Sequence, residues 1–83
     1  MLGTPEQRME VISILSRKGW HKSGAALDFA LRFVAEADGA DAQKRRLQIL
    51  GAVIPYSWGK ASFEDAMREA IRMADYVEHG AAP

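Results

Sequence analysis

Two histidines, His21 and His79, five serines and eleven Asp or Glu residues are this chain's stock of groups for acid-base, nucleophilic or metal chemistry, because it has no cysteine. Disulfides, thiolate ligands and a Cys nucleophile are thereby excluded. The histidines fall in different predicted elements, and no H-E-x-x-H or comparable ligand spacing is present. Ser13, Ser16, Ser23, Ser57 and Ser62 read as caps or exposed positions, and none stands in a G-x-S-x-G elbow. The carboxylates Glu64, Asp65 and Glu69 read as a solvated helix face, since general acid-base work needs a desolvating cleft that so short a chain has little material to build. The expectation is a protein that is not an enzyme and carries no metal and no cofactor.

Binding chemistry is better represented. The stretches R-K-G-W-H-K-S and P-Y-S-W-G-K-A-S bring together Trp20, His21 and Lys22, and Tyr56, Trp58 and Lys60. Aromatic rings beside cations are the makeup of interface hot spots and of stacking sites. The same tryptophans could instead plug the open end of a small core while each indole N–H finds a carbonyl or water. Both readings stand at this level, and Tyr56 is the residue expected to be most exposed.

Four helices are predicted to position these residues. Thr4, Pro5 and Gln7 make a helix start, with a Thr cap, a proline where a missing N–H costs nothing, and Gln at the third position to complete a capping box. Helix 1 is predicted over 5–18, with Val11, Ile12 and Leu15 inward and Met9 and Ile14 flanking; Gly19 stops it. Ser23 is expected to cap helix 2, over 24–37. Its apolar residues from Ala26 to Ala37 cover about 200° of the circumference, more than a surface helix needs, so helix 2 should be the hub. Asp28, Arg32 and Glu36 line its other edge.

Helix 3 is predicted over 41–54, with Leu47, Ile49, Leu50, Val53 and Ile54 apolar and Lys44, Arg45 and Gln48 turned away. Gly51 would cost about 1 kcal/mol against Ala inside it, which suggests close helix contact or early fraying. Pro55 should set the limit, because the residue before a proline is pushed out of the α region. Ser62 caps helix 4, over 63–79, whose apolar arc runs from Phe63 to Val77 with Glu64/Arg68 and Asp75/His79 as pairs outside it. The ends, 1–3 and 80–83, are expected to fray.

The fold class is therefore all-α, a single domain over 1–83 built as a bundle of four short helices, with consecutive helices antiparallel across their short links. That topology brings the 1–2 and 3–4 loops, and with them both tryptophans, to one end. Lysines, arginines and acids cancel overall, yet they alternate by segment: residues 1–22 carry +2, 23–41 carry −3, 42–60 carry +4 and 61–83 carry −3. Basic and acidic helices as neighbours in a bundle account for that pattern.

A neutral total argues against coating nucleic acid. A helix-turn-helix is disfavoured too. Ala35 and Gly39 suit its turn, but the positions that should be aliphatic to close its helices are Arg45 and Gln48. No apolar run approaches the ~18 residues of a membrane span, and the first residues lack a basic region followed by an apolar one, so the expected location is cytoplasmic. The function these features predict is a protein–protein interaction module, a small adaptor, regulator or inhibitor. It would act through the aromatic and basic end, through surplus apolar area on helix 2 that a second copy could cover as a homodimer, or through both. Nucleic-acid or nucleotide binding, by stacking on Trp20, Trp58 or Tyr56 with Lys22 and Lys60 on phosphate, is the alternative.

Overall fold

The computed structural model describes residues 2–20, 24–57 and 62–80. Its elements are α1 (Pro5–Ser16), α2 (Gly24–Ala35), α3 (Ala40–Val53), a 3-10 turn (Ile54–Tyr56) and α4 (Phe63–Glu78). There is no strand among the described residues, and the protein is a small all-α bundle. Among the described residues, no helix is long and apolar enough to cross a membrane.

Local chemistry sets most of the helix ends. At α1, the Gln7 N–H donates to the Thr4 hydroxyl (3.1 Å) and the Thr4 N–H donates to the Gln7 side chain (3.0 Å), a complete capping box. The helix closes in a Schellman turn: Gly19, at φ 74°, donates to the Ser16 carbonyl, and Trp20 donates to that of Leu15. The regular α-helix thus stops at Ser16, two residues short of the expected end. At α4, Ser62 accepts from the Asp65 N–H, as its spacing predicted. Gly39, at φ 92°, stands ahead of α3, which begins at Ala40.

The α-helix ends at Val53, ahead of Pro55 as expected, but the helical path continues through the proline as a tighter turn. Ile54, just before it, keeps right-handed helical geometry (φ −54°, ψ −40°), and the chain tightens into the 3-10 turn. The proline sits where the turn needs no donor, and Ser57 closes it with both its N–H and its hydroxyl on the Ile54 carbonyl.

Three contacts set the relation of α1 to α3. The Gln7 side chain donates to Gln43 (3.0 Å), Gly51 lies against Ile14, and the Lys18 ammonium donates to the Ser57 carbonyl (3.1 Å). The contacts ascend together along both helices, so α1 and α3 run parallel. Between α3 and α4 the order reverses: Arg46 meets Glu78, whereas Val53, further along α3, shares a groove with Met73. Consecutive helices are thus antiparallel, and the 1–2 and 3–4 links leave from one end.

α2 is one of two hubs. Both α2 and α3 pack on each other and on α1 and α4, which flank this pair in a body of 34 × 29 × 16 Å. The core takes Ala26, Ala30, Leu31, Phe33 and Val34 from α2, Val11, Ile14 and Leu15 from α1, Leu47, Leu50 and Val53 from α3, and Met67, Ala70 and Ala74 from α4. Small residues on α2 and α4 let these helices approach closely.

The inward face of α1 differs from the expected one. Ile14 is buried, while Ile12 is 42% exposed and Met9 is 72% exposed. With α2 and α3 both resting on α1, the buried stripe is centred on Val11, Ile14 and Leu15, and Ile12 turns away. Glu64 does not pair with Arg68; Arg68 reaches Asp65 instead, at 3.9 Å. At the N-terminus, Leu2 packs on the core and its carbonyl accepts from Arg8, although this end was expected to fray. The broad apolar arc of α2 is covered by its neighbours. Leu27 and Phe29 are half-buried, and no large apolar side chain of α2 is exposed.

Candidate functional site

The aromatic end is assembled by the closing turns of α1 and α3. Gly19 reverses the chain after α1 and directs Trp20 back toward the bundle, where it is half-buried against the core. The 3-10 turn does the converse for Tyr56. Ile54, two residues before it, and Ser57, directly after it, are buried, 1% exposed each, while Pro55 is exposed and Tyr56 is 71% exposed. A large ring is thus held out from a backbone anchored on both sides.

The bond from Lys18 to the Ser57 carbonyl ties these two turns together. Lys18 stands two residues before Trp20, and Ser57 directly follows Tyr56. Trp20 and Tyr56 therefore belong to the same end of the bundle, one turned in and the other out. Trp20 fits the plugging reading in part, because its ring leans on the core without being fully enclosed. His21, Lys22, Trp58 and Lys60, and the expected cap Ser23, lie outside the described residues.

At the opposite end stands an ionic cluster that the sequence reading missed. Arg46 donates through Nε to Glu78 Oε2 (2.8 Å) and through Nη2 to Glu78 Oε1 (3.0 Å). Its Nη1 donates to the Phe33 carbonyl (2.6 Å), its guanidinium lies 4.5 Å from the centre of the Phe33 ring, and Glu36 comes within 3.8 Å. One side chain from α3 thus joins the C-terminal ends of α2 and α4. Hydrogen bonding from Arg46 holds the Glu78 carboxyl below its usual range, and the same bond raises Arg46. The signal lay in register. Arg46 stands four residues before Leu50 and seven before Val53, on the buried side of α3, whereas Lys44 and Arg45 are exposed.

Asp75, Glu78 and His79 are the one set with metal-ligand spacing among the described residues. Both Glu78 oxygens already bond Arg46, and His79 Nδ1 lies 2.8 Å from the Asp75 carbonyl and 3.3 Å from its carboxylate. A cation there would compete with the arginine for Glu78, and the geometry is that of a helix end held by the Arg46–Glu78 pair.

Surface hollows are shallow and open. One lies between α2 and α4 at Asp28, Phe29, Arg32 and Glu64, and another between α3 and α4 at Val53, Met73, Tyr76 and Val77. Neither converges polar groups on an enclosed space as a substrate pocket does. No protein-family model, curated protein or solved structure matches the chain.

Proposed function

We propose that the protein is a non-enzymatic protein–protein interaction module, a small cytoplasmic adaptor, regulator or inhibitor that engages its partner with the end of the bundle carrying Trp20 and Tyr56. The observation that carries this reading is the exposure of Tyr56 on a turn that begins at buried Ile54 and is closed by buried Ser57. A rigid aromatic ring loses little conformational freedom on binding and offers a large contact area, which is why tyrosine and tryptophan dominate interface hot spots. The Lys18–Ser57 bond favours the same reading, because it fixes the two turns relative to each other before a partner arrives.

The test is affinity capture from the native host with the wild-type chain and with Tyr56→Ala. The expected result is a protein retained by the first and lost with the second, at unchanged melting temperature. Equal capture by both would remove Tyr56 from the reading.

A further inference from the structure

We infer that the outward face of α1 pairs with the same face of a second copy of this chain, the two helices running antiparallel across a twofold axis. The contact uses neither Trp20 nor Tyr56, so it stands apart from the interaction reading above. Its first ground is the distribution of apolar residues around α1. A helix at the edge of a bundle buries one stripe and is ordinarily polar on the opposite side. α1 rests on α2 and α3 through Val11, Ile14 and Leu15, yet Met9 and Ile12 stand exposed on its other side. Pro5, Met9, Ile12 and Ser16 form one uncharged, exposed row there, within about 60° of one another around the helix. The Ser16 hydroxyl already donates to the Ile12 carbonyl (2.8 Å), so covering the row leaves that donor satisfied.

The charges beside this row name the occupant. Glu6, Glu10 and Arg17 are exposed along a single edge of it, within about 40° of one another. None of the three forms an ion pair among the described residues. The acids stand in the first half of the helix and the base at its C-terminal cap. In an antiparallel pair with twofold symmetry, an edge of one helix meets the same edge of the other, reversed in direction, and each contact occurs twice. With the axis level with the link between Val11 and Ile12, Glu6 meets the second copy's Arg17, and Arg17 meets its Glu6. In that register Met9 enters between the second copy's Ile12 and Ser16. A parallel pair would set Glu6 on Glu6 and Arg17 on Arg17, so charge selects the antiparallel one. A foreign helix of one charge sign would satisfy one end of this edge and oppose the other.

The contact is small. α1 has twelve residues. That is about 18 Å of helix, whose outer face falls short of the roughly 800 Å² per partner of a standard interface. Association is therefore weak and reversible, and sensitive to salt.

Sedimentation equilibrium between about 20 μM and about 1 mM chain, in about 50 mM salt, tests this. The apparent mass should rise from monomer toward dimer, and Met9→Gln, which keeps helix propensity, should weaken association about tenfold. Glu6→Arg and Arg17→Glu should each weaken it by a similar factor. An equimolar mixture of these two should associate again, because each then carries the charges that the other lacks. All three variants should keep the wild-type circular dichroism, since the side chains are exposed, and Tyr56→Ala should leave self-association unchanged. A chain still monomeric at about 1 mM overturns the inference, as does a dimer indifferent to Met9→Gln. Charge reversals without effect, or a mixture no better than either variant alone, overturn the antiparallel pairing.

Discussion

Arg46 and Glu78 meet as planar fork on planar fork, with two hydrogen bonds of 2.8 and 3.0 Å between α3 and the last residue of α4. The side chains are 14% and 18% exposed, so the pair is shielded from most of the screening that weakens surface ion pairs. Arg46 also satisfies the Phe33 carbonyl near the end of α2, where a helix leaves acceptors without intrahelical partners. Arg46→Ala strands a carboxylate and a carbonyl together. It should cost about 2 to 3 kcal/mol, read as a lower urea midpoint. Arg46→Lys should recover only part of that loss, because an ammonium cannot make the two parallel bonds.

The same pair makes stability depend on pH in a definite direction. Glu78 has a folded-state pKa below its unfolded one, because Arg46 hydrogen-bonds the charged form. Its contribution is therefore complete above the unfolded carboxylate range, roughly pH 4 to 5, and is lost as pH falls through the lowered folded value. In urea melts between pH 7 and pH 3, the wild type should lose stability toward acid more steeply than Glu78→Gln. Parallel curves for the two proteins would show that other carboxylates carry the acid sensitivity.

Two glycines should respond oppositely to alanine. Gly51 lies inside α3 with ordinary helical geometry, and an added Cβ would meet Ile14 Cδ1 at 3.6 Å, a normal van der Waals contact. Gly51→Ala should raise stability by about 0.5 to 1 kcal/mol through helix propensity. Gly3 has φ 76°, and a Cβ there would fall 2.9 Å from Leu31 Cδ2. Gly3→Ala should therefore lower the melting temperature, since the strained backbone and the crowding of Leu31 act together. A higher melting temperature for Gly3→Ala would mean that the segment ahead of α1 is not held as the structure has it.

These side chains also show what was legible beforehand. Caps and stops depend on neighbours a few residues away, so Thr4 with Gln7, Ser62 with Asp65, and Gly19 could all be read from spacing alone. The buried face of α1 could not. Ile12 and Ile14 have equal claims on hydrophobicity, and which of them turns inward is decided by where α2 and α3 lie. Arg46 was hidden for the same reason. Within K-R-R it looks like part of a solvated run, and only its register with Leu50 sets it on the packed side. Tyr56 was expected to be exposed and is; the anchoring of its turn by Lys18 spans 39 positions along the chain, which no local pattern encodes.

Truncating three aromatic residues separates the core from the candidate surface. Phe33 is 5% exposed in the core near the end of α2 and also underlies Arg46, so Phe33→Ala should cost about 3 to 5 kcal/mol as a cavity in the core. Trp20 is half-buried against the core, and Trp20→Ala should cost less, about 1 to 2 kcal/mol, in proportion to the smaller area it removes from water. Tyr56, with most of its surface in solvent, should cost less than about 0.5 kcal/mol. Urea midpoints of the three variants test this order directly. A Tyr56→Ala loss as large as that of Phe33→Ala would make the ring a structural plug, whereas the expected order leaves it as aromatic surface with no task in holding the fold together.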